Sequence, residues 1–192
     1  MAVLAGISAG DWDRLEVPEG YRAEIIAGEL VVSPSAPPSH GAVQAALAAL
    51  LIAAAPPATV VLIDTEWHIA PGGSVAAAPR PDVLVVATAD IAGDVRLTAA
   101  PLLAVEILSP SDFHLLERAG RPRIEAKRDD YASNHLLHYL EVVLTPERQV
   151  RLDRYELHEG RLTVVASATG PTVLEADEPF AYRVVPEALL RF

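Results

Sequence analysis

Two short apolar runs constrain the fold of this chain more than any other feature. One run directly follows an acidic residue, and the other contains one. Residues 83–86 read Val-Leu-Val-Val and follow Asp82, and residues 102–108 read Leu-Leu-Ala-Val-Glu-Ile-Leu with Glu106 inside the run. Near-continuous apolar runs of this length are typical of strands that are covered on both faces of a sheet. An ionised carboxylate in such a strand is costly unless it has a partner. The pattern therefore predicts a covered sheet with two carboxylates on adjacent strands.

Length and composition narrow the kinds of site that this sheet can carry. The 192 residues are expected to form a single domain, 1–192, whose core is mostly Ala, Val, Leu and Ile, because 51% of the residues are apolar and only 5% aromatic. The chain has no cysteine, which excludes disulfides and thiolate metal sites. A bound metal would need oxygen or imidazole ligands, which favours Mg²⁺, Mn²⁺ or Ca²⁺.

The formal net charge of −11 counts against a nucleic-acid binder, although local charge matters more than the sum. The sequence has a single basic cluster, at residues 118–128, with Glu125 as its one acidic residue. Its basic members are Arg118, Arg121, Arg123, Lys127 and Arg128. The cluster is either part of a substrate-binding surface or a solvated entrance to a helix.

Targeting signals do not stand out in the sequence. Residues 1–20 have no basic region ahead of an apolar stretch, unlike a signal peptide. The longest apolar run, 41–55, contains Gln44 and stops at Pro56, short of the roughly 20 residues that a membrane span needs. We expect a cytoplasmic protein with no membrane segment.

Local patterns predict the order of the elements. The β-branched, turn and capping signals indicate two hairpins, two helices, three central strands and a β-rich tail. The predicted ranges are a hairpin over 21–33, a helix over 40–55 capped by Ser39, strands over 59–69, 82–88 and 102–108, a turn at Pro71-Gly72-Gly73, a loop over 109–121, a helix over 122–140, strands over 149–156 and 161–166, and short extended pieces over 172–175 and 182–185.

This order predicts an α+β fold with an αβββαβ core, in which helices flank one mixed sheet. An N-terminal β-hairpin precedes the core and a β-rich C-terminal tail follows it. The chain has no Gly-rich phosphate loop and no G-x-S-x-G motif, so common nucleotide-binding and hydrolase signatures are absent.

Five short motifs in one order resemble the Uma-type endonuclease family of the PD-(D/E)xK nuclease superfamily. They are Glu24-Ile25-Ile26-Ala27-Gly28-Glu29-Leu30-Val31-Val32-Ser33-Pro34, His40 at the first helix, Arg80-Pro81-Asp82-Val83, Val105-Glu106-Ile107-Leu108-Ser109-Pro110-Ser111, and Lys127 with Tyr131. The resemblance covers about residues 21–160. It implies a restriction-endonuclease-like fold, hydrolysis of DNA phosphodiester bonds and dependence on Mg²⁺ or Mn²⁺.

The resemblance also implies catalytic roles for three side chains. Asp82 and Glu106 would hold the metal ion together with the backbone carbonyl of Ile107. Position 108, where the superfamily has its lysine, is Leu108, and the resemblance assigns the lysine to the next helix, as Lys127. Lys127 would hold the scissile phosphate or the attacking water and stabilise negative charge.

Each role has a purely structural alternative. Asp82 can satisfy backbone donors at the start of a strand, and Glu106 can belong to a buried ion pair with Lys127 or an arginine. Lys127 itself can be an ordinary surface lysine paired with Asp130.

Three further residues are weaker candidates. Glu29 would lie at the rim of the metal site, or else be a solvated hairpin residue. His40 lies near a helix N-terminus, where a phosphate would be favourable, or else caps or packs there. Tyr131, one turn after Lys127, would orient the lysine or a phosphate oxygen, or else pack in the core.

Two other functions stay open at this level. A non-catalytic binding or regulatory module with the nuclease fold would explain the negative charge, Arg123 in place of the family's aspartate, and the unusual run over 135–146. A hydrolase of small phosphorylated molecules would need a closed pocket above Asp82 and Glu106. Nucleases of this fold often dimerise, so a homodimer is a further expectation, with the apolar tail 180–192 as the candidate interface.

Overall fold

The computed structural model describes residues 7–69, 74–91, 96–117, 119–145 and 149–190. Within these ranges the strands are β1 (Ile7–Ser8), β2 (Tyr21–Ile26), β3 (Glu29–Pro34), β4 (Thr59–Ile63), β5 (Ser74–Val75), β6 (Val83–Ala87), β7 (Leu103–Leu108), β8 (His138–Leu144), β9 (Val150–His158), β10 (Arg161–Thr169), β11 (Leu174–Ala176) and β12 (Tyr182–Val184). The α-helices of the same ranges are α1 (Ala9–Asp13), α2 (Pro38–Ala54) and α3 (Arg123–Ser133). Short 3-10 helices cover Thr88–Ile91, Pro110–Phe113 and Pro186–Leu190.

One six-stranded mixed sheet organises the fold, in the order β10-β9-β8-β7-β6-β4. Its neighbours are antiparallel except β7 and β8, which are parallel. Parallel neighbours need a crossover, and α3 provides it between β7 and β8. The elements α2-β4-β6-β7-α3-β8 have the predicted αβββαβ order, but the strand after α3 is β8, whereas the predicted strand over 149–156 corresponds to β9. The β2-β3 hairpin and the β-rich tail confirm the predicted flanking regions.

The two faces of the sheet carry different apolar clusters, because successive side chains of a strand point to opposite faces. On the α2 face, Val83, Val105 and Val142 pack in one cluster with Leu47 and Leu51 of the helix. On the other face, Leu84, Ala104 and Tyr139 pack with Tyr131 of α3 and with Trp67. Glu106 has the same parity as Ala104, so its side chain lies on the α3 face.

Four large apolar side chains of the tail face the core. Phe180, Tyr182, Val184 and Leu189 are buried in the cluster that contains α2. The prediction that this segment serves as a dimer interface is therefore wrong for these side chains.

Helix α2 begins one residue before the predicted cap. Pro37 is at the N-cap position without a side-chain hydrogen bond, and Ser39 lies inside the helix. Proline suits the first turn of a helix, where its missing N–H would be unpaired anyway. The predicted strand over 59–69 is also shorter, ending at Ile63 before Asp64, which has a positive φ of 52°. The predicted turn at 71–73 lies outside the described residues.

The largest departure concerns residues 134–140, which the helical pattern assigned to the second helix. The helix ends at Ser133, and His135 adopts a left-handed φ of 60°. Such a residue is a common way of ending a helix. Residues 138–144 instead form β8, which is buried beside β7 and was absent from the prediction. His135 consequently does not share a helix face with Tyr131.

Candidate active site

Asp82 lies immediately before β6 with its carboxylate buried. Its Oδ2 accepts a hydrogen bond of 2.6 Å from the backbone N–H of Ile107 in β7, and its carbonyl accepts one of 2.8 Å from Gln44 of α2. Its Oδ1 is also buried, with His40 Nε2 at 3.3 Å and Arg22 Nη1 at 3.7 Å. Asp82 therefore satisfies a backbone donor, as the structural alternative predicted, and its second oxygen faces two basic side chains.

Glu106, in β7, points toward α3 and meets two of its side chains. Its Oε1 accepts hydrogen bonds from Lys127 Nζ at 2.8 Å and from the Tyr131 hydroxyl at 2.5 Å. Burial raises the pKa of Glu106 to about 7, with Asp82 and Glu24 adding to the rise and Lys127 opposing it. The structure thus brings together the predicted acidic pair and the predicted lysine, and the pair Glu106–Lys127 is also the buried ion pair of the structural alternative.

Lys127 is only 1% exposed, so the prediction of an ordinary surface lysine is wrong. Its Nζ lies 2.8 Å from Glu24 Oε1 as well as 2.8 Å from Glu106 Oε1. Burial alone would lower the pKa of Lys127, but the two carboxylates raise it above its ordinary value. The ammonium is therefore charged at neutral pH and held between two carboxylates.

Glu24 of β2 also belongs to the site, although the sequence analysis named it only as part of a motif and not as a candidate site residue. It is fully buried, and besides Lys127 it contacts the guanidinium of Arg123 and accepts a hydrogen bond of 2.9 Å from the Arg80 backbone N–H. Burial opposes ionisation, yet Lys127 and Arg123 lower the pKa of Glu24 to about 2. The signal was in the sequence, since Glu24 stands between Ala23 and Ile25-Ile26, just as Glu106 interrupts an apolar run.

His40, in the first turn of α2, lies beside two of the predicted metal ligands. Its Nε2 is 3.1 Å from the Ile107 carbonyl oxygen and 3.3 Å from Asp82 Oδ1. Burial tends to lower the pKa of His40, but the hydrogen bond to Asp82 and its charge raise it. The histidine is therefore a contact of the site rather than a distant cap.

Tyr131 packs in the core, as one of its two alternatives predicted, while a role in orienting Lys127 or a phosphate oxygen stays a prediction. Its ring is fully buried, 5.7 Å from the Trp67 ring and 5.4 Å from the Tyr139 ring between centroids. Its hydroxyl, however, donates to Glu106. Tyr131 is thus a core residue whose polar end orients an acidic side chain of the site.

Glu29, in β3, is linked to the loop before α3. Its Oε1 accepts a hydrogen bond of 2.8 Å from the Ala119 backbone N–H. Its place at the rim of a metal site stays a prediction.

The described basic residues of the cluster over 118–128 are buried or paired with carboxylates. Arg123 and Lys127 are buried, Arg121 forms an ion pair with Asp129, and Arg128 forms one with Glu141. Arg118 lies outside the described residues. The described cationic groups of this cluster are thus matched by carboxylates.

A second buried carboxylate lies one strand further along the sheet. Glu141 of β8 is the register partner of Glu106, and its two oxygens accept hydrogen bonds of 2.6 Å each from Nε and Nη2 of Arg128. The Tyr155 hydroxyl donates to the same carboxylate at 2.8 Å. Sequence reasoning missed this pair because it assigned Glu141 to the region just after a helix.

The oxygen atoms of the predicted metal ligands suit a hard divalent cation. Among the described residues no three acidic or histidine side chains are grouped as a metal site. The predicted set needs only two carboxylates, with the Ile107 carbonyl as the third ligand, and carboxylate and carbonyl oxygens are the ligands that Mg²⁺ or Mn²⁺ prefers. The residues present are therefore compatible with such an ion.

Residues 10–184 match the family described as "Uma2: Putative restriction endonuclease". The chain belongs to this family. No curated protein matches the chain significantly. A solved structure similar to it is that of "a putative nuclease belonging to DUF820" from Anabaena variabilis ATCC 29413, at 14% identity and a TM-score of 0.67, over 96% of this chain and 97% of the other. At this identity the similarity shows the fold, and it confirms the predicted nuclease-like architecture.

No described helix of this Uma2 family member is long and apolar enough to cross a membrane. The family match covers both strands that carry Asp82 and Glu106 and the helix that carries Lys127. The predicted family is therefore confirmed over the whole candidate site.

Proposed function

We propose that this chain is an endonuclease that hydrolyses DNA phosphodiester bonds with the help of Mg²⁺ or Mn²⁺. The observation that supports this most directly is the buried pair of carboxylates Asp82 and Glu106, with the buried Lys127 donating to Glu106. The charge of Asp82 adds to the raised pKa of Glu106, and a bound cation would relieve this unfavourable interaction between the two carboxylates. The family supports nuclease activity, and the metal and the substrate are parts of the proposal.

Asp82, Glu106 and the carbonyl of Ile107 would hold the cation. When bound, it would lower the pKa of a coordinated water and neutralise charge on the phosphate. Lys127, charged and held by Glu106 and Glu24, stabilises negative charge on the phosphate oxygens. Tyr131 keeps the Glu106 carboxylate in one orientation through its hydroxyl.

One observation favours a second candidate, a catalytically inactive nuclease-fold module. Lys127 is 1% exposed and both of its described partners are carboxylates, so a phosphate would have to displace one of them. A module of this kind would keep the buried network for stability alone.

Calorimetric titration of Mg²⁺ and Mn²⁺, followed by cleavage assays with plasmid and with single-stranded DNA on the same samples, separates the two. We expect the wild type to bind the metal and to cleave DNA, and Asp82→Asn and Glu106→Gln to lose both. Glu175→Gln, which changes an exposed carboxylate paired with Arg183, is the matched control and should behave as the wild type. Metal binding without cleavage of either DNA would favour the inactive module, and no binding by the wild type would contradict the metal site.

The predicted homodimer stays a prediction, and light scattering coupled to size-exclusion chromatography tests it. Because Phe180, Tyr182, Val184 and Leu189 are buried within the chain, an interface would have to use other side chains.

A further inference from the structure

A small cavity beside Asp82 takes no part in the chemistry described above. It has a volume of about 190 Å³, and Trp12, Tyr21, Arg22, Glu66 and Arg80 are among the residues that line it. Arg22 connects it to the candidate active site, because its Nη1 lies 3.7 Å from Asp82 Oδ1. A group bound in this cavity would therefore lie next to the bond that is cut.

Two arginines give the cavity a cationic wall. The Nε of Arg80 is buried without a hydrogen-bond partner among the described residues. Arg22 Nε is also buried and unpaired, although its Nη1 contacts Asp64 at 3.5 Å. Buried guanidinium donors without acceptors are unfavourable, and a phosphate supplies acceptors in the matching geometry.

The remaining walls suit a base or sugar. Tyr21 is 50% exposed, so its ring is open to a ligand. The Glu66 carboxylate also lines the cavity, but both of its oxygens accept the Trp12 indole N–H at 2.9 Å. The cavity is smaller than the roughly 300 Å³ at which pockets for drug-sized ligands begin. Its size therefore suits part of a nucleotide rather than a larger molecule.

We propose that this cavity binds one unpaired nucleotide adjacent to the cleaved bond, with its phosphate on Arg22 and Arg80 and its base against Tyr21. A base within a duplex is stacked and cannot reach the ring, whereas an unpaired base can stack on it. The net charge of −11 also argues against binding along a long stretch of duplex DNA, because such binding needs many cationic contacts with phosphates. This inference rests on the proposed function and assigns its substrate class as DNA with a single-stranded segment.

The test compares Arg80→Gln and Tyr21→Ala with the wild type. Binding of a short fluorescent single-stranded DNA is followed by anisotropy in metal-free buffer at several salt concentrations, and KM and kcat for its cleavage are measured with Mg²⁺. Removing one phosphate contact should reduce the slope of log K against log salt by about 0.7. Removing one stacked base should weaken binding at least about fivefold. In both variants KM should rise more than kcat falls.

Two controls accompany these variants. Arg80→Lys keeps the charge and should retain the salt slope of the wild type. Arg183→Gln removes an arginine that is paired with Glu175 in the β11-β12 hairpin, and it should leave binding and cleavage unchanged. Thermal melts of all variants establish that they are folded.

Each outcome decides a separate point. Binding and KM of Arg80→Gln equal to those of a wild type that cleaves DNA would overturn the phosphate site, and the same result for Tyr21→Ala would overturn the stacking position. A duplex of the same sequence that binds as tightly as the single strand would overturn the substrate class. A wild type that neither binds nor cleaves DNA would instead refute the proposed function, and this inference with it.

Discussion

Replacing Glu24 with glutamine tests how much the charge of this buried carboxylate stabilises the fold through Lys127 and Arg123. The wild-type carboxylate is fully buried and contacts Lys127, Arg123 and the Arg80 backbone N–H. Glutamine has a similar shape but no charge. It would leave Lys127 with Glu106 as its carboxylate partner, and Arg123 with the more distant Asp112 at 3.8 Å.

The size of the effect follows from the pKa of Glu24. The two cations lower this pKa from 4.5 to about 2, despite the opposing effect of burial. At about 1.4 kcal/mol per unit of pKa, ionised Glu24 contributes about 3 kcal/mol to the free energy of unfolding. Removing one partner of a buried ion pair typically costs about 3–5 kcal/mol, which agrees in magnitude.

The sign of the pH dependence is fixed by the lowered pKa. The stabilisation by Glu24 is present above its unfolded pKa of 4.5 and is lost as the pH falls toward about 2. Linkage then predicts that Glu24→Gln costs about 3 kcal/mol at pH 5 and about 1 kcal/mol at pH 3. The comparison starts at pH 5 because Glu106, with a pKa of about 7, is then protonated in the metal-free protein.

Urea unfolding of both proteins at pH 5 and pH 3 measures this difference. Glu175→Gln, at a carboxylate whose side chain is 64% exposed, should change the free energy of unfolding by less than about 0.5 kcal/mol at either pH. A cost for Glu24→Gln below about 1 kcal/mol at pH 5, or a cost that does not change with pH, would refute the reasoning.

Three further predictions concern the neighbouring residues. Lys127→Gln should abolish plasmid nicking while Mg²⁺ binding persists in calorimetry, and loss of binding would mean that the lysine mainly orders the carboxylates. Tyr131→Phe should lower the free energy of unfolding by about 1 kcal/mol and weaken metal binding, because Glu106 loses a hydrogen bond to its charged form; unchanged binding would contradict the orienting role. Glu141→Gln should cost about 3 kcal/mol in urea unfolding by unpairing Arg128, with nicking per folded molecule retained, and a loss of nicking would extend the site to β8.

The predictions from sequence succeeded where local pattern carries the information. Residues 83–86 and 102–108 formed covered strands because their apolar side chains have to be buried on both faces of a sheet. The acidic residues within or beside these runs, Asp82 and Glu106, formed the candidate site for the same reason: a buried charge needs a partner. The order of short motifs then predicted the family, which the match over 10–184 confirms.

Local pattern failed where a contact between distant segments decided the outcome. Residues 138–140 were part of the predicted helix, yet residues 138–144 form a strand because hydrogen bonding along β7 and β9 outweighs a weak local preference. Arg123 was read as a departure from the family, and it is a buried partner of Glu24, 99 residues away in the sequence. A single sequence does not specify such pairings, since they depend on which strand the chain places beside which helix.

By itself, the sequence determined the covered sheet and the acidic positions Asp82 and Glu106 in it, because burial acts over a few neighbouring residues. The order of its motifs determined the family, and Lys127 followed from the family resemblance. The tertiary structure alone decided that Lys127 is shared by Glu24 and Glu106, and that Arg22 and Arg80 line one cavity beside Asp82. Electrostatic partnership depends on distances of a few ångströms between segments far apart in the chain, and only the folded packing sets those distances.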